Sequence, residues 1–140
     1  ARDDAPVAEE HDAPEKAEPS DPVIATVDDF IATAIEAQAS DVHLNPDEME
    51  MHLRFRIDGV LQSKSPPPKS MHAALVRRLK VLAGLDLTQS RKPQDGKFKF
   101  AHAGETFDIR LSIIPTIWGE NAVLRVLRHA SEIKTFDALG

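Results

Sequence analysis

Between residues 49 and 58, apolar and polar side chains take strict turns. Met49, Met51, Leu53, Phe55 and Ile57 alternate with Glu50, His52, Arg54, Arg56 and Asp58. A period of two predicts a strand with one buried and one polar face. Asp58-Gly59 follows, a dipeptide that accepts the positive φ angles of a two-residue type I′ turn. Val60-Leu61 then begins a return strand, so residues 49–64 predict a hairpin whose wet side carries Arg54 and Arg56. A second two-faced strand is written in Phe107, Ile109, Leu111 and Ile113 alternating with Thr106, Asp108, Arg110 and Ser112, and Pro115 is expected to break it.

Other stretches follow a helical period. Val27, Phe30, Ile31, Ala34, Ile35 and Gln38 share one face, with Thr26 as the expected cap, Asp28 and Asp29 in the first turn and an end near Ala39. Ser70 is the expected cap of a second helix that runs to about Ala83, buries Met71, Leu75, Leu79 and Leu82, and stops at Gly84. Arg77, Arg78 and Lys80 are expected on the rest of its surface. Short strands are predicted at Ser40 to Pro46, with Val42 and Leu44 inward and Pro46 as the stop, and at Lys97 to Phe100, with a loop over 85–96, a connection over 116–120, and a short helix at 136–139. The apolar run from Ala122 to Leu127, interrupted by Arg125, predicts a central strand buried on both faces. The order is helix, three strands, helix, three strands. Joined by hairpin turns, these give an α+β domain: a mostly antiparallel sheet of about six strands with both helices on one face.

Charge divides the chain. Residues 1–22 hold eight acids against two bases and four of the ten prolines, and they have few large apolar side chains. Such a segment buries too little surface to offset its ordering entropy, so it is read as a disordered acidic linker. Residues 23–140 are read as the folded domain. The overall net charge of −6 conceals a basic middle: residues 54–128 hold fourteen Lys and Arg against six acids. A basic body attracts phosphates of some kind, unless it is only a solvated face.

Several chemistries are not supported. There is no cysteine, hence no disulfide, thiolate metal site or cysteine nucleophile. The six histidines show no spacing expected of a metal site. Neither a G-x-x-x-x-G-K-[ST] loop nor a G-x-G-x-x-G occurs, and no catalytic centre is legible. No aromatic platform or base-reading constellation accompanies the basic residues, so nucleic acid is not an expected partner. Arg110 and Arg125 stand out because each interrupts a strand otherwise committed to burial. A guanidinium there requires a carboxylate, carbonyls or a phosphate. Two readings stay open: a structural one, with Arg110 paired to Glu120 or Asp108 or reaching the edge, and a functional one, in which one or both meet a phosphate carried by another body. Arg77, Arg78 and Lys80 form a candidate partner surface.

Six segments together resemble a known family. A-S-D-V-H-L-N-P (39–46), R-F-R-I-D-G-V-L (54–61), P-P-P-K followed by H-A-A-L-V-R-R-L-K-V-L-A-G-L-D (66–86), R-K-P-Q-D-G-K (91–97), F-D-I-R-L-S (107–112) and P-T-I-W-G-E-N-A-V-L-R-V-L (115–127) are similar, in order and spacing, to the domain preceding the motor in type II secretion and type IV pilus assembly ATPases. The resemblance implies a PAS-like domain of a hexameric cytoplasmic ATPase at the inner membrane. It would pack on the motor domain of the same or a neighbouring subunit and work with inner-membrane secretion or pilus components. ATP and Mg²⁺ are implied for the full-length protein, and no cofactor for this part, which is read as non-catalytic by itself. In the family, arginines of this domain approach the nucleotide phosphates; the matching positions here are Arg110 and Arg125. Lys97 stands where the family often has arginine. The alternative is a stand-alone PAS-like sensory or adaptor module.

Overall fold

The computed structural model describes residues 21–128. The first helix, α1 (Pro22–Glu36), starts four residues before the expected Thr26. Asp21 caps it: its carboxylate accepts from the Val23 N–H at 2.8 Å, and Pro22 occupies the first helical position. Proline is suited there because that N–H has no helical partner. Asp21 and Pro22 had been assigned to the linker, while residues 1–20 lie outside the described residues. The apolar face is the predicted one, with Val27, Phe30, Ile31, Ala34 and Ile35 buried.

Six strands form one sheet in the order β3-β2-β1-β6-β5-β4, and every neighbouring pair is antiparallel. Strand β1 is Asp41–Pro46, β2 Met51–Ile57 and β3 Val60–Lys64. The β2–β3 turn has Asp58 at φ 52° and Gly59 at φ 79°, as a type I′ turn requires. Met49 is not part of β2. It is 79% exposed, because the chain turns at residues 47–50. There Asp47 accepts from the Met49 and Glu50 N–H groups and meets His52 Nε2 at 2.6 Å. Those bonds, the Glu50 N–H foremost, hold its pKa down to about 2.

A single 3₁₀ turn (Lys69–Met71) leads into α2 (His72–Ala83). The expected Ser70 cap is absent; Met71 takes the cap position without a side-chain bond. Gly84 ends the helix at φ 68°, and the Leu85 N–H returns to the Lys80 carbonyl at 2.9 Å. Strand β4 (Gln94–His102) is longer than predicted, and the 85–96 loop correspondingly shorter. Gly96 explains the close approach there: a Cβ would lie 3.0 Å from Ala83 Cβ and 2.8 Å from Leu85 Cδ2.

Strand β5 (Glu105–Thr116) passes through Pro115 instead of breaking. Its pairing with β4 stops at Ile113, so Pro115 has no partner strand on that side to receive an N–H. The expected 116–120 connection reduces to Ile117 and Trp118, and β6 (Gly119–Leu127) returns at once. Strand β6 is central, between β1 and β5, but only one of its faces is buried. Ala122, Leu124 and Val126 point into the core, whereas Arg125 is exposed. Both helices cover the same face, so the opposite face of every strand is left open. The core consists of the helix faces, Leu75, Val76 and Leu79 included, against Val42, Leu44, Leu53, Phe55, Ile109, Leu111 and Leu124. This α+β architecture is the predicted one. The short helix expected at 136–139 lies outside the described residues.

One ion pair is sunk beneath α2. Lys80 Nζ lies 2.9 Å from a Glu120 carboxylate oxygen and donates to the Gln89 carbonyl at 2.7 Å; the two side chains are 4% and 14% exposed. Removing one partner of such a pair strands the other charge. Glu120→Ala is therefore expected to lower the unfolding free energy by about 3–5 kcal/mol, measured by urea titration. The double replacement Lys80→Met with Glu120→Leu is expected to recover most of that loss.

Candidate functional site

The strand registers align charged residues in one row across the open face. Lys97 on β4 sits opposite Arg110 on β5, Arg110 opposite Arg125 on β6, Arg125 opposite Asp41 on β1, and Asp41 opposite Arg56 on β2. Opposed residues of antiparallel strands share a face, and neighbouring strands are about 4.8 Å apart. Four cations and one carboxylate thus line a path across five strands. Like charges directly opposite each other destabilise a sheet, so Lys97, Arg110 and Arg125 side by side call for an anion.

Asp41 answers part of that demand. Its carboxylate is 7% exposed, with one oxygen accepting from Arg125 Nε at 3.1 Å and the other 3.7 Å from Arg56 Nε. Ser40 Oγ donates to that second oxygen at 2.8 Å. Arg56 also donates from Nη1 to the Gly59 carbonyl at 3.1 Å. The Arg125 side chain remains 65% exposed beyond its bond to Asp41.

Arg110 differs. Among the described residues it makes no ion pair with Asp108 or Glu120, the partners considered in the structural reading. Asp108 meets Lys99 at 2.8 Å, and Glu120 is taken by Lys80. Arg110 stands instead between two shallow hollows. One, about 400 Å³, is bordered by Asp95, Ser112, Val123 and Arg125; the other, about 370 Å³, by Lys97, Lys99, Asp108 and Leu127. Ser112 and Asp95 are joined at 2.7 Å. Neither arginine is buried, contrary to the inference from the apolar run around each, because the helices cover only the other side of the sheet.

The second predicted surface is split. Arg77 is exposed and faces a cleft of about 630 Å³ that it shares with Lys69, Lys80, Arg91, Trp118 and Glu120. Lys80 is buried in its ion pair and is not on the surface, and Arg78 is half-buried with an unpartnered Nε. The three do not form one basic face. The reason is helical: residues 76, 79 and 80 turn toward the sheet together.

Asp41 was missed by sequence reasoning, and Arg56 was placed only on the wet side of the hairpin. The signal available for Asp41 was an acid at the edge of a short apolar strand, but its partner lies 84 residues away. No three carboxylate or imidazole groups converge as a metal site among the described residues.

With that geometry in place, comparison with known proteins decides the family. The sequence profile described as Type II/IV secretion system protein matches residues 16–140. The chain belongs to that family. It is 40% identical over 120 residues to the type IV pilus assembly ATPase PilB of Pseudomonas aeruginosa, covering 85% of this chain and 21% of that protein. It is 39% identical over 119 residues to type II secretion system protein E of Xanthomonas campestris pv. campestris, again covering 85% of this chain and 21% of the relative. The chain therefore spans about a fifth of the length of these relatives. Among solved structures, the Legionella pneumophila ATPase DotB superimposes over 66% of this chain and 26% of its own, with a TM-score of 0.49 and 16% identity. The secretion-family chain thus carries its cationic row on the sheet face left free by its own helices.

Two histidines contribute to the pH response near neutrality. Burial lowers the pKa of His43 on the open face; Arg56 and Arg54 push it the same way, against Asp41. Burial also lowers that of His72, against the Glu120 carbonyl and carboxylate. A lowered histidine is neutral when folded, so the unfolded chain takes up the proton first as pH falls below the ordinary 6.5. Stability is then highest above that pH and declines below it. The urea midpoint is expected to drop between pH 7 and pH 5.5, less steeply in a His43→Gln, His72→Gln double variant.

Proposed function

We propose that this chain is the regulatory, coupling part of a secretion or pilus-assembly ATPase. It is non-catalytic by itself and has a PAS-like fold. It packs on the motor domain of the same or a neighbouring subunit of a hexamer, and Arg110 and Arg125 supply positive charge to the phosphates of ATP held there. The observation that carries this reading is the row Lys97–Arg110–Arg125. Three adjacent strands place cations directly opposite one another on an uncovered face, with the Asp41 carboxylate opposite Arg125 at one end of the row. An anion with several oxygens relieves that repulsion, and a polyphosphate matches the forked donors of two arginines. The relatives named as pilus assembly ATPases support the choice of ATP.

In this reading ATP and Mg²⁺ are bound by the motor, where the acids that ligate the metal would reside. This part closes over the nucleotide from outside. As charge accumulates on the transferring phosphoryl group, the two guanidinium groups stabilise it more than they stabilise bound ATP, which raises turnover. The machine works on the cytoplasmic side of the inner membrane, with membrane secretion or pilus components as further partners. Among the described residues no helix is long and apolar enough to cross a membrane.

In the natural protein that contains this chain, Arg110→Ala and Arg125→Ala are each expected to cut ATP turnover by about 10²-fold, a magnitude typical of removing one preorganised donor. Circular dichroism should show the fold retained: both side chains are exposed, and in Arg125→Ala the Asp41 carboxylate keeps Ser40 and Arg56. Wild-type turnover in both variants would remove the phosphate role.

A further inference from the structure

The two arginines at the site are held in different ways. Arg125 is tethered by one nitrogen, Nε, to a carboxylate that is itself nearly buried and fixed by Ser40 Oγ at 2.8 Å. A guanidinium offers five N–H donors in a planar fork, so occupying Nε fixes the plane and leaves the two Nη nitrogens to form a bidentate edge. The Arg125 side chain is 65% exposed on the open face. Arg110 has no ion pair among the described residues, and its orientation is not fixed in this way.

We propose that Asp41 is the positioning residue for Arg125: it holds the guanidinium by Nε so that its outer edge meets a phosphate oxygen pair already oriented. This inference rests on the phosphate reading above and adds a residue to it. Asp41 touches neither ATP nor the reacting atoms. It removes the rotamer freedom that a long side chain otherwise loses when it engages its ligand. It also offsets part of the repulsion between Arg125 and Arg110 while no nucleotide is bound. Ser40 and Arg56 hold the second carboxylate oxygen, which keeps Asp41 from following Arg125 outward.

The test is a double-mutant cycle on ATP hydrolysis by the natural protein that contains this chain, with kcat and KM for ATP measured separately. Asp41→Ala is expected to lower kcat at least about tenfold, the scale on which small misplacements of a catalytic group act. The same change made on top of Arg125→Ala is expected to cost nothing further, because there is no guanidinium left to position. Asp41→Asn, which keeps an oxygen acceptor for Nε, is expected to restore most of the activity. An equal loss from Asp41→Ala in the presence and absence of Arg125 would show a merely structural role and overturn the proposal, as would wild-type kcat in Asp41→Ala. Should Asp41→Ala fail to fold, Arg125→Lys carries the test. Lysine keeps the charge but has neither the Nε contact nor the fork, so kcat is expected to fall as in Arg125→Ala, and a wild-type kcat would overturn the proposal. If Arg125→Ala itself turns over normally, the phosphate role of Arg125 is what fails, and the positioning role falls with it. That result differs from failure of Asp41 alone, where Arg125→Ala is impaired and the cycle is additive.

Discussion

The structure depends on one ladder, the antiparallel pairing of β1 with β6. Asp41, Val42, His43 and Leu44 lie opposite Arg125, Leu124, Val123 and Ala122. On either side of it the sheet is local: β1, β2 and β3 follow one another through short turns, and so do β4, β5 and β6. Each half alone is a three-stranded meander with an apolar face and an unpaired inner edge. Joining them pairs those edges and completes the surface on which α1 and α2 pack. The join is also the costly step, since it closes a loop of about 80 residues before any contact rewards it.

The same ladder creates the site. Register in a sheet has a period of two, so a shift of one residue between β1 and β6 would send Asp41 to the other face from Arg125. It would also turn Val42 and Leu44 out of the core. The hydrophobic demand of the helix-covered face therefore fixes the electrostatic row on the open face. Burial decides the register, and the register places Arg125 against Asp41 on one side and Arg110 on the other. Stability and the candidate function share one geometric cause. The row nevertheless costs something: Lys97, Arg110 and Arg125 stand directly opposite one another, and like charges so placed destabilise a sheet.

Most of the fold was legible in the sequence because its elements are short, two-faced and punctuated by turn residues. Asp58-Gly59 marked a hairpin, and the alternation of Phe107 to Ile113 marked β5. The order of helices and strands follows from such local signals. What failed was also local but weaker. Asp21-Pro22 was hidden in an acidic, proline-bearing segment, so Thr26 was preferred as the cap. Pro115 was taken for a strand end because nothing in the sequence shows that β4 stops pairing before it. The run from Ala122 to Leu127 suggested two-sided burial, but Val123 and Leu127 are only half-buried on the open face. Arg110 and Arg125 were picked out as unusual for an imperfect reason, burial they do not have. Their alignment with Lys97, Asp41 and Arg56 is a property of register between distant strands and was beyond reach of any pattern in one stretch. Lys80, by contrast, looked like surface charge and proved to be half of a buried ion pair, because its partner Glu120 lies forty residues on.

The most direct measurement is a structure of the natural protein, in its assembled form, with a non-hydrolysable ATP analogue and Mg²⁺ bound. The account predicts guanidinium nitrogens of Arg110 and Arg125 within about 3 Å of β- or γ-phosphate oxygens, the distance of a charge-assisted hydrogen bond. Both arginines facing solvent in a closed, nucleotide-bound assembly would contradict it.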